Sequence, residues 1–226
     1  MPPAPIRLCD PRAVWDGRDL IVVEPGFPPC PAGAGAYDPE ANRWVKIAPP
    51  PRFIGQQPVT AWGGGRLVLV SPDTGATASW SPATGRWDQI APLPSPAAIS
   101  AAWTGSKLLV ITASKGTARA FTLTGGRWTR LPDLPQPGQG QIVEAVAAAR
   151  DGAVYVLADI NVAHTNPNDT YDSGSVELLR LTTAGWKPVP LSAGAPSSQL
   201  ALTQVDGAIL AAGSACPGAG SCTMED

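Results

Sequence analysis

The chain of 226 residues carries a single histidine, His164, and four cysteines, Cys9, Cys30, Cys216 and Cys222. One imidazole without a neighbouring ligand pattern is too solitary for a zinc site. It also has no visible partner for a serine–histidine–acid arrangement. No two cysteines are spaced as Cys-x-x-Cys, which argues against zinc and thioredoxin-like chemistry. Cys216 and Cys222 bracket "PGAGS", a flexible stretch that a disulfide could close, and Cys9 with Cys30 is the remaining pairing. Paired cysteines would place the chain in an oxidising, extracytoplasmic compartment, as in a secreted protein.

The richest polar segment is "ADINVAHTNPNDTYDSGS", Ala158 to Ser175. It holds Asp159, Asn161, His164, Asn166, Asn168, Asp169, Tyr171 and Asp172. Oxygen-rich loops can hold Ca²⁺. The spacing here matches no EF-hand-like loop, so the segment reads as a solvated loop. It also contains the sequon Asn168-Asp-Thr170, a weak signal by itself. As the longest insertion it is a candidate for binding, since variable loops on rigid scaffolds carry function. "SPDTGAT", Ser71 to Thr77, is similar to the Asp-box of sialidases but lacks its aromatic residue, Ala78 standing there. It reads as a Pro-Asp-Thr-Gly turn.

Composition narrows the classes. Sixteen Lys and Arg against 18 Asp and Glu give a net charge of −2, without the basic footprint that nucleic acid demands. No apolar run is long enough to cross a bilayer, and the first ten residues lack the apolar core of a signal peptide. The 26 prolines and 24 glycines are scattered among short apolar runs. Such punctuation predicts many short strands and turns rather than long helices. "IVEAVAAAR", Ile142 to Arg150, is the longest helix-compatible run, and it falls where a repeat calls for a strand.

That repeat is the strongest signal. "PEANRWVKIAPPP", "SPATGRWDQIAPLP" and "LTGGRWTRLPDLP" are three copies of one phrase, centred on Trp44, Trp87 and Trp128, with a degenerate fourth around Trp186. Seven residues earlier stand Tyr37, Trp80, Phe121 and Leu179. This predicts a β-hairpin with a four-residue turn, in which each earlier residue faces its tryptophan. A second hairpin precedes each copy: "AVWDGRDLIVV", "TAWGGGRLVLV", "AAWTGSKLLVI", "AAARDGAVYVL" and "LTQVDGAILAA". Two hairpins recurring every 41 to 58 residues make four-stranded antiparallel units. The predicted fold is therefore all-β, a propeller of four complete blades and a partial fifth. The blades fall at about 9–51, 58–95, 98–135, 142–191 and 199–226 of a single domain. "MPPAPI" reads like the tail of a fourth strand, comparable with "IAPPPR". Either this tail completes the fifth blade or the chain is part of a larger propeller, and the latter is favoured.

"AGAYDPEANRWVKIAPPP", with "AVWDGRDLIVV" before it, resembles the kelch repeat, the unit also found in galactose-oxidase-like propellers. Tyr37 and Trp44 match its pattern, and Trp80–Trp87 and Phe121–Trp128 match with aromatic exchanges. The Gly pair of that repeat is absent. The resemblance implies six or seven blades in a full ring. In the oxidases it implies copper held by two His and two Tyr. With one His and three Tyr, this chain cannot assemble that centre, and no cofactor is expected.

In a propeller the second-to-third-strand loops and the inter-blade connections share one face. On this chain that face collects Arg52, Phe53, Gln56, Gln57, Gln136, Gln139, His164, Asp169, Tyr171 and Asp172. Amides beside aromatics suit a protein or carbohydrate ligand. The expectation is a non-catalytic binding scaffold without nucleic-acid or membrane partners. The alternative is a piece of an oxidase-like or glycosidase-like propeller enzyme whose catalytic residues lie elsewhere.

Overall fold

The computed structural model describes residues 2–26, 28–114, 117–135, 140–150, 153–162, 173–191, 198–205 and 208–214. Within them the chain is all strand and turn, apart from one 3₁₀ turn at Arg52–Ile54. The first sheet is β1 (Arg12–Trp15), β2 (Leu20–Glu24), β3 (Gly33–Asp38) and β4 (Arg43–Ile47). The second is β5 (Val59–Gly63), β6 (Arg66–Val70), β7 (Thr77–Ser81) and β8 (Arg86–Ile90). The third comprises β9 (Ala98–Trp103), β10 (Leu108–Ser114), β11 (Thr117–Thr124) and β12 (Arg127–Arg130). The fourth comprises β13 (Gly140–Arg150), β14 (Ala153–Val162), β15 (Ser173–Thr182) and β16 (Gly185–Val189). A two-stranded sheet follows, β17 (Ser198–Val205) and β18 (Ala208–Ser214). Each four-stranded sheet pairs its strands in chain order, the plan of a blade. The helix-compatible run Ile142–Arg150 lies within β13.

By compactness the chain divides into two units, Met1–Thr112 with Phe121–Thr129, and Ala113–Ala120 with Arg130–Asp226. In the first unit the core lies between blades. Ile21, Val23 and Ala34 of the first sheet pack with Leu67, Leu69, Ala78 and Trp80 of the second. Val68, Val70 and Ala61 pack with Leu108, Val110 and Phe121 of the third. Alternate residues of β6 thus serve two different cores. A strand turns successive side chains to opposite faces, and a central blade is covered on both. Burial of these aliphatic side chains supplies most of the stabilisation, at about 1.5–3 kcal/mol each.

Turn chemistry sets the registers. Gly64 and Gly65 have φ of 59° and 69°, the conformation a two-residue hairpin turn requires. They connect Gly63 to its partner Arg66. In the outer hairpins of the first two blades, four-residue turns put Tyr37 opposite Trp44 and Trp80 opposite Trp87. The next two blades depart from the expected spacing. Gly125 and Gly126, with φ of 56° and 79°, make a two-residue turn, and the amide of Leu131 bonds the carbonyl of Ala120. That register brings Leu123, not Phe121, across from Trp128. Likewise Leu181, not Leu179, pairs with Trp186. The cause is the shorter turn, which moves the facing residue two places toward it.

The expected loop Ala158–Ser175 is also shorter than its sequence implied. β14 runs on to Val162 and β15 begins at Ser173, with Val162 paired to Ser173. Asp159 and Asn161 are therefore strand residues, and Asp159 is buried.

Candidate functional site

The best-defined part of the loop face is built on the first two blades. β2 ends in Glu24, whose side chain is fully buried. Its Oε2 accepts the amides of Cys9 at 2.8 Å and Asp10 at 3.1 Å, and its Oε1 accepts that of Gly26 at 3.3 Å. Bonds from backbone N–H groups to a carboxylate are stronger than neutral ones. Here they tie the start of β1 to the loop after β2. Cys9 and Cys30 form a disulfide across the same loop.

This clamp presents Asp10 and Arg12. Arg12 reaches Asp10 through Nη1 at 2.7 Å and Nη2 at 3.3 Å. The Arg12 hydrogen bond, with a smaller contribution from the nearby Gln57, holds the Asp10 carboxyl below the usual aspartate range despite some desolvation. Gln57 comes from the connection between β4 and β5. Its φ of 51° lies in the left-handed region, which costs a non-glycine residue about 1 kcal/mol or more. This residue stands near the ion pair.

The same connection carries the 3₁₀ turn. Ile54 is buried in the inter-blade core and anchors it. The neighbouring Phe53 points outward and is 42% exposed. Arg52, Gln56 and Gln57 are exposed beside it. Gly55, with φ of 71°, turns the chain close to the next loop, where an added Cβ would lie 3.8 Å from Ser71 Oγ. That loop is itself fixed: the Gly75 amide bonds the Ser71 carbonyl at 3.0 Å, and the Ala97 amide bonds that of Pro72 at 2.6 Å. The Asp-box-like "SPDTGAT" is thus a tight turn between β6 and β7.

Arg52, Phe53, Gln56 and Gln57 are therefore brought together on one connection. Gln136, Gln139, His164, Asp169, Tyr171 and Asp172, with Cys216 and Cys222, lie outside the described residues. Asp10, Arg12 and Glu24 escaped sequence reasoning. The pattern of a polar residue closing the apolar run of the second strand, as in Glu24, Ser71 and Thr112, was the available signal. Among the described residues no three His, Cys, Asp or Glu side chains converge as metal ligands. No helix among them is long and apolar enough to cross a membrane.

No protein-family model and no curated protein matches the chain. Solved structures do. The structure of YjhT is similar with a TM-score of 0.63 at 12% identity, over 89% of this chain and 75% of that one. A catalytically inactive virginiamycin B lyase from Staphylococcus aureus, crystallised with quinupristin, gives a TM-score of 0.57 at 16% identity. That alignment takes in 89% of this chain, which spans 62% of the lyase's length. A streptogramin B lyase gives 0.51 at 12% identity, over 87% of this chain and 74% of that one. At such identities the likeness establishes the fold alone: a β-propeller of four-stranded blades.

Proposed function

We propose that this chain is a kelch-like propeller scaffold without catalytic activity of its own, binding a protein or glycan ligand through the loop face of its first two blades. The observation behind this reading is the exposed Phe53 ring on a turn anchored by Ile54. The same connection carries Gln56 and Gln57, the latter near the hydrogen-bonded Asp10–Arg12 ion pair. An aromatic face with adjacent hydrogen-bonding groups fits ligands that are apolar on one side and polar on the other. Pinned loops reduce the ordering cost of binding. The Cys9–Cys30 disulfide supports an oxidising compartment, where extended glycans and extracellular proteins are met.

Binding to an array of glycans and to extracellular-matrix proteins tests this. Phe53→Ala and Gln57→Ala should each weaken capture about tenfold or more while leaving thermal stability near that of the parent. Equal capture by parent and variants would move the site elsewhere. Turnover of quinupristin by the purified chain would overturn the non-catalytic part of the reading.

A further inference from the structure

Two charged side chains flank the Phe53 turn. Arg52 opens the 3₁₀ turn, and Asp73 belongs to the tight turn between β6 and β7. Both are exposed, and among the described residues neither side chain has a hydrogen bond or an ion pair. Gly55 is what brings the two loops close. Its φ of 71° and ψ of −156° form a combination essentially reserved for glycine. A Cβ there would lie 3.9 Å from Asp73 Oδ2. The carboxylate therefore stands over the backbone of the Phe53 connection, two positions along the chain from the exposed ring.

Both loops are held by their backbones, which leaves these side chains free for a ligand. In the first, the Ile54 amide bonds the Pro51 carbonyl at 3.1 Å and the Gly55 amide bonds that of Arg52 at 3.3 Å. In the second, the Ser71 amide bonds the Ala76 carbonyl at 2.8 Å, and the Leu93 amide bonds that of Gly75 at 2.8 Å. The Asp73 side chain takes no part in that turn.

The chemistry of the exposed groups selects a ligand class. A guanidinium only donates, a carboxylate only accepts, and a carboxamide such as that of Gln56 does both. A hydroxyl suits all three, since it donates one hydrogen bond and accepts two. A pyranose carries several hydroxyls at its edge and an apolar ring face that matches Phe53. A carboxylated sugar would bring like charge to Asp73, which costs binding.

We propose that the ligand of this face is a neutral glycan, its ring stacked on Phe53, its hydroxyls donating to Asp73 and accepting from Arg52. This rests on the binding reading of the same face and adds the ligand class and the residue that selects it.

The probes are immobilised cello-, malto-, manno- and galacto-oligosaccharides, their O-methylated counterparts and oligogalacturonate. The full chain should capture at least one neutral sugar, but neither its O-methylated form nor oligogalacturonate. Asp73→Asn should weaken that capture about tenfold, the worth of a hydrogen bond to a charged group. Its melting temperature should match the parent's, and Asp73→Ser serves should the asparagine variant be destabilised. Capture that Phe53→Ala abolishes and Asp73→Asn leaves unchanged would overturn this inference and spare the binding face. Capture indifferent to both substitutions would overturn both readings. Equal capture of the O-methylated sugar or of oligogalacturonate would overturn the neutral-glycan assignment. So would failure to capture any neutral sugar, the binding face then standing or falling with Phe53-dependent capture of matrix proteins.

Discussion

The first and second blades share strand order, outer-hairpin register and a hydrogen bond from the fourth-strand tryptophan to a backbone carbonyl of the segment leading into the blade, yet they are fastened at the loop face by different means. In the first, a buried carboxylate and a disulfide hold the loop after the second strand. In the second, Ser71 and a tight turn do the same with backbone bonds. The outer hairpins differ as well: Asp38 accepts the Ala41 amide with its side chain, whereas Ser81 uses its carbonyl to hold Thr84 and Gly85. The framework is therefore common to both, and each blade's individuality is written in the residues that end its strands. Those residues decide which side chains the loops present.

The largest effect should come from breaking the shared framework. Trp80 is almost fully buried between the first two blades, and its indole N–H has no hydrogen-bond partner among the described residues. Trp80→Ala should cost about 3–5 kcal/mol by chemical denaturation. Trp80→Phe should cost much less, since no indole bond is lost with it. A loss under about 1 kcal/mol for the alanine variant would contradict the inter-blade core.

Next in size is the fastening peculiar to the first blade. Cys9 and Cys30 are 21 residues apart in sequence. Closing a loop of that length stabilises by about 3 kcal/mol in the chain-entropy account. Cys9→Ser with Cys30→Ser should lower the denaturation midpoint accordingly and weaken protection of the amides at residues 9, 10 and 26. Unchanged exchange at those amides would mean that Glu24 alone holds the loop.

The smallest effect is electrostatic. The Ala41 amide, then Arg18, holds the Asp38 carboxyl below its ordinary value. A carboxyl depressed in the folded state stabilises fully above its unfolded pKa, and this contribution is lost as the pH falls through the folded value. Nearby Asp19 runs the other way, because burial raises it. Its protonation favours the folded state as the pH drops below the raised value. Melting temperatures measured from pH 5 to 2 should fall less in Asp38→Asn than in the parent. An identical acid limb would show that Asp38 makes no such contribution.

The blades were legible in the sequence because turn glycines and tryptophans recur at fixed offsets, and both residue types have strict local demands. Gly64 and Gly65 supply positive φ, and the Trp residues fill inter-blade positions. Registers were legible only where the turns matched. The Gly125–Gly126 turn resembles "SPATG" in sequence yet is two residues shorter in effect, which moved Leu123 into the place expected for Phe121. In the candidate site, Arg52, Phe53, Gln56 and Gln57 were found as a connection rich in amides. The Asp10–Arg12–Gln57 network was not, because it joins segments more than forty residues apart through a left-handed glutamine that no local pattern announces. Of the two cysteine pairings read from the sequence, Cys9–Cys30 is formed, and the other lies outside the described residues.

The repeated indole-to-carbonyl bond ties the fourth strand of each of the four-stranded blades to the segment that leads into it. Hydrogen exchange of the indole N–H groups, read by NMR, tests it in one experiment. Trp44, Trp87, Trp128 and Trp186 should exchange slowly, while Trp15, 53% exposed at the end of β1, should exchange at the rate of a free indole. Fast exchange at all four fourth-strand tryptophans, indistinguishable from Trp15, would contradict the account.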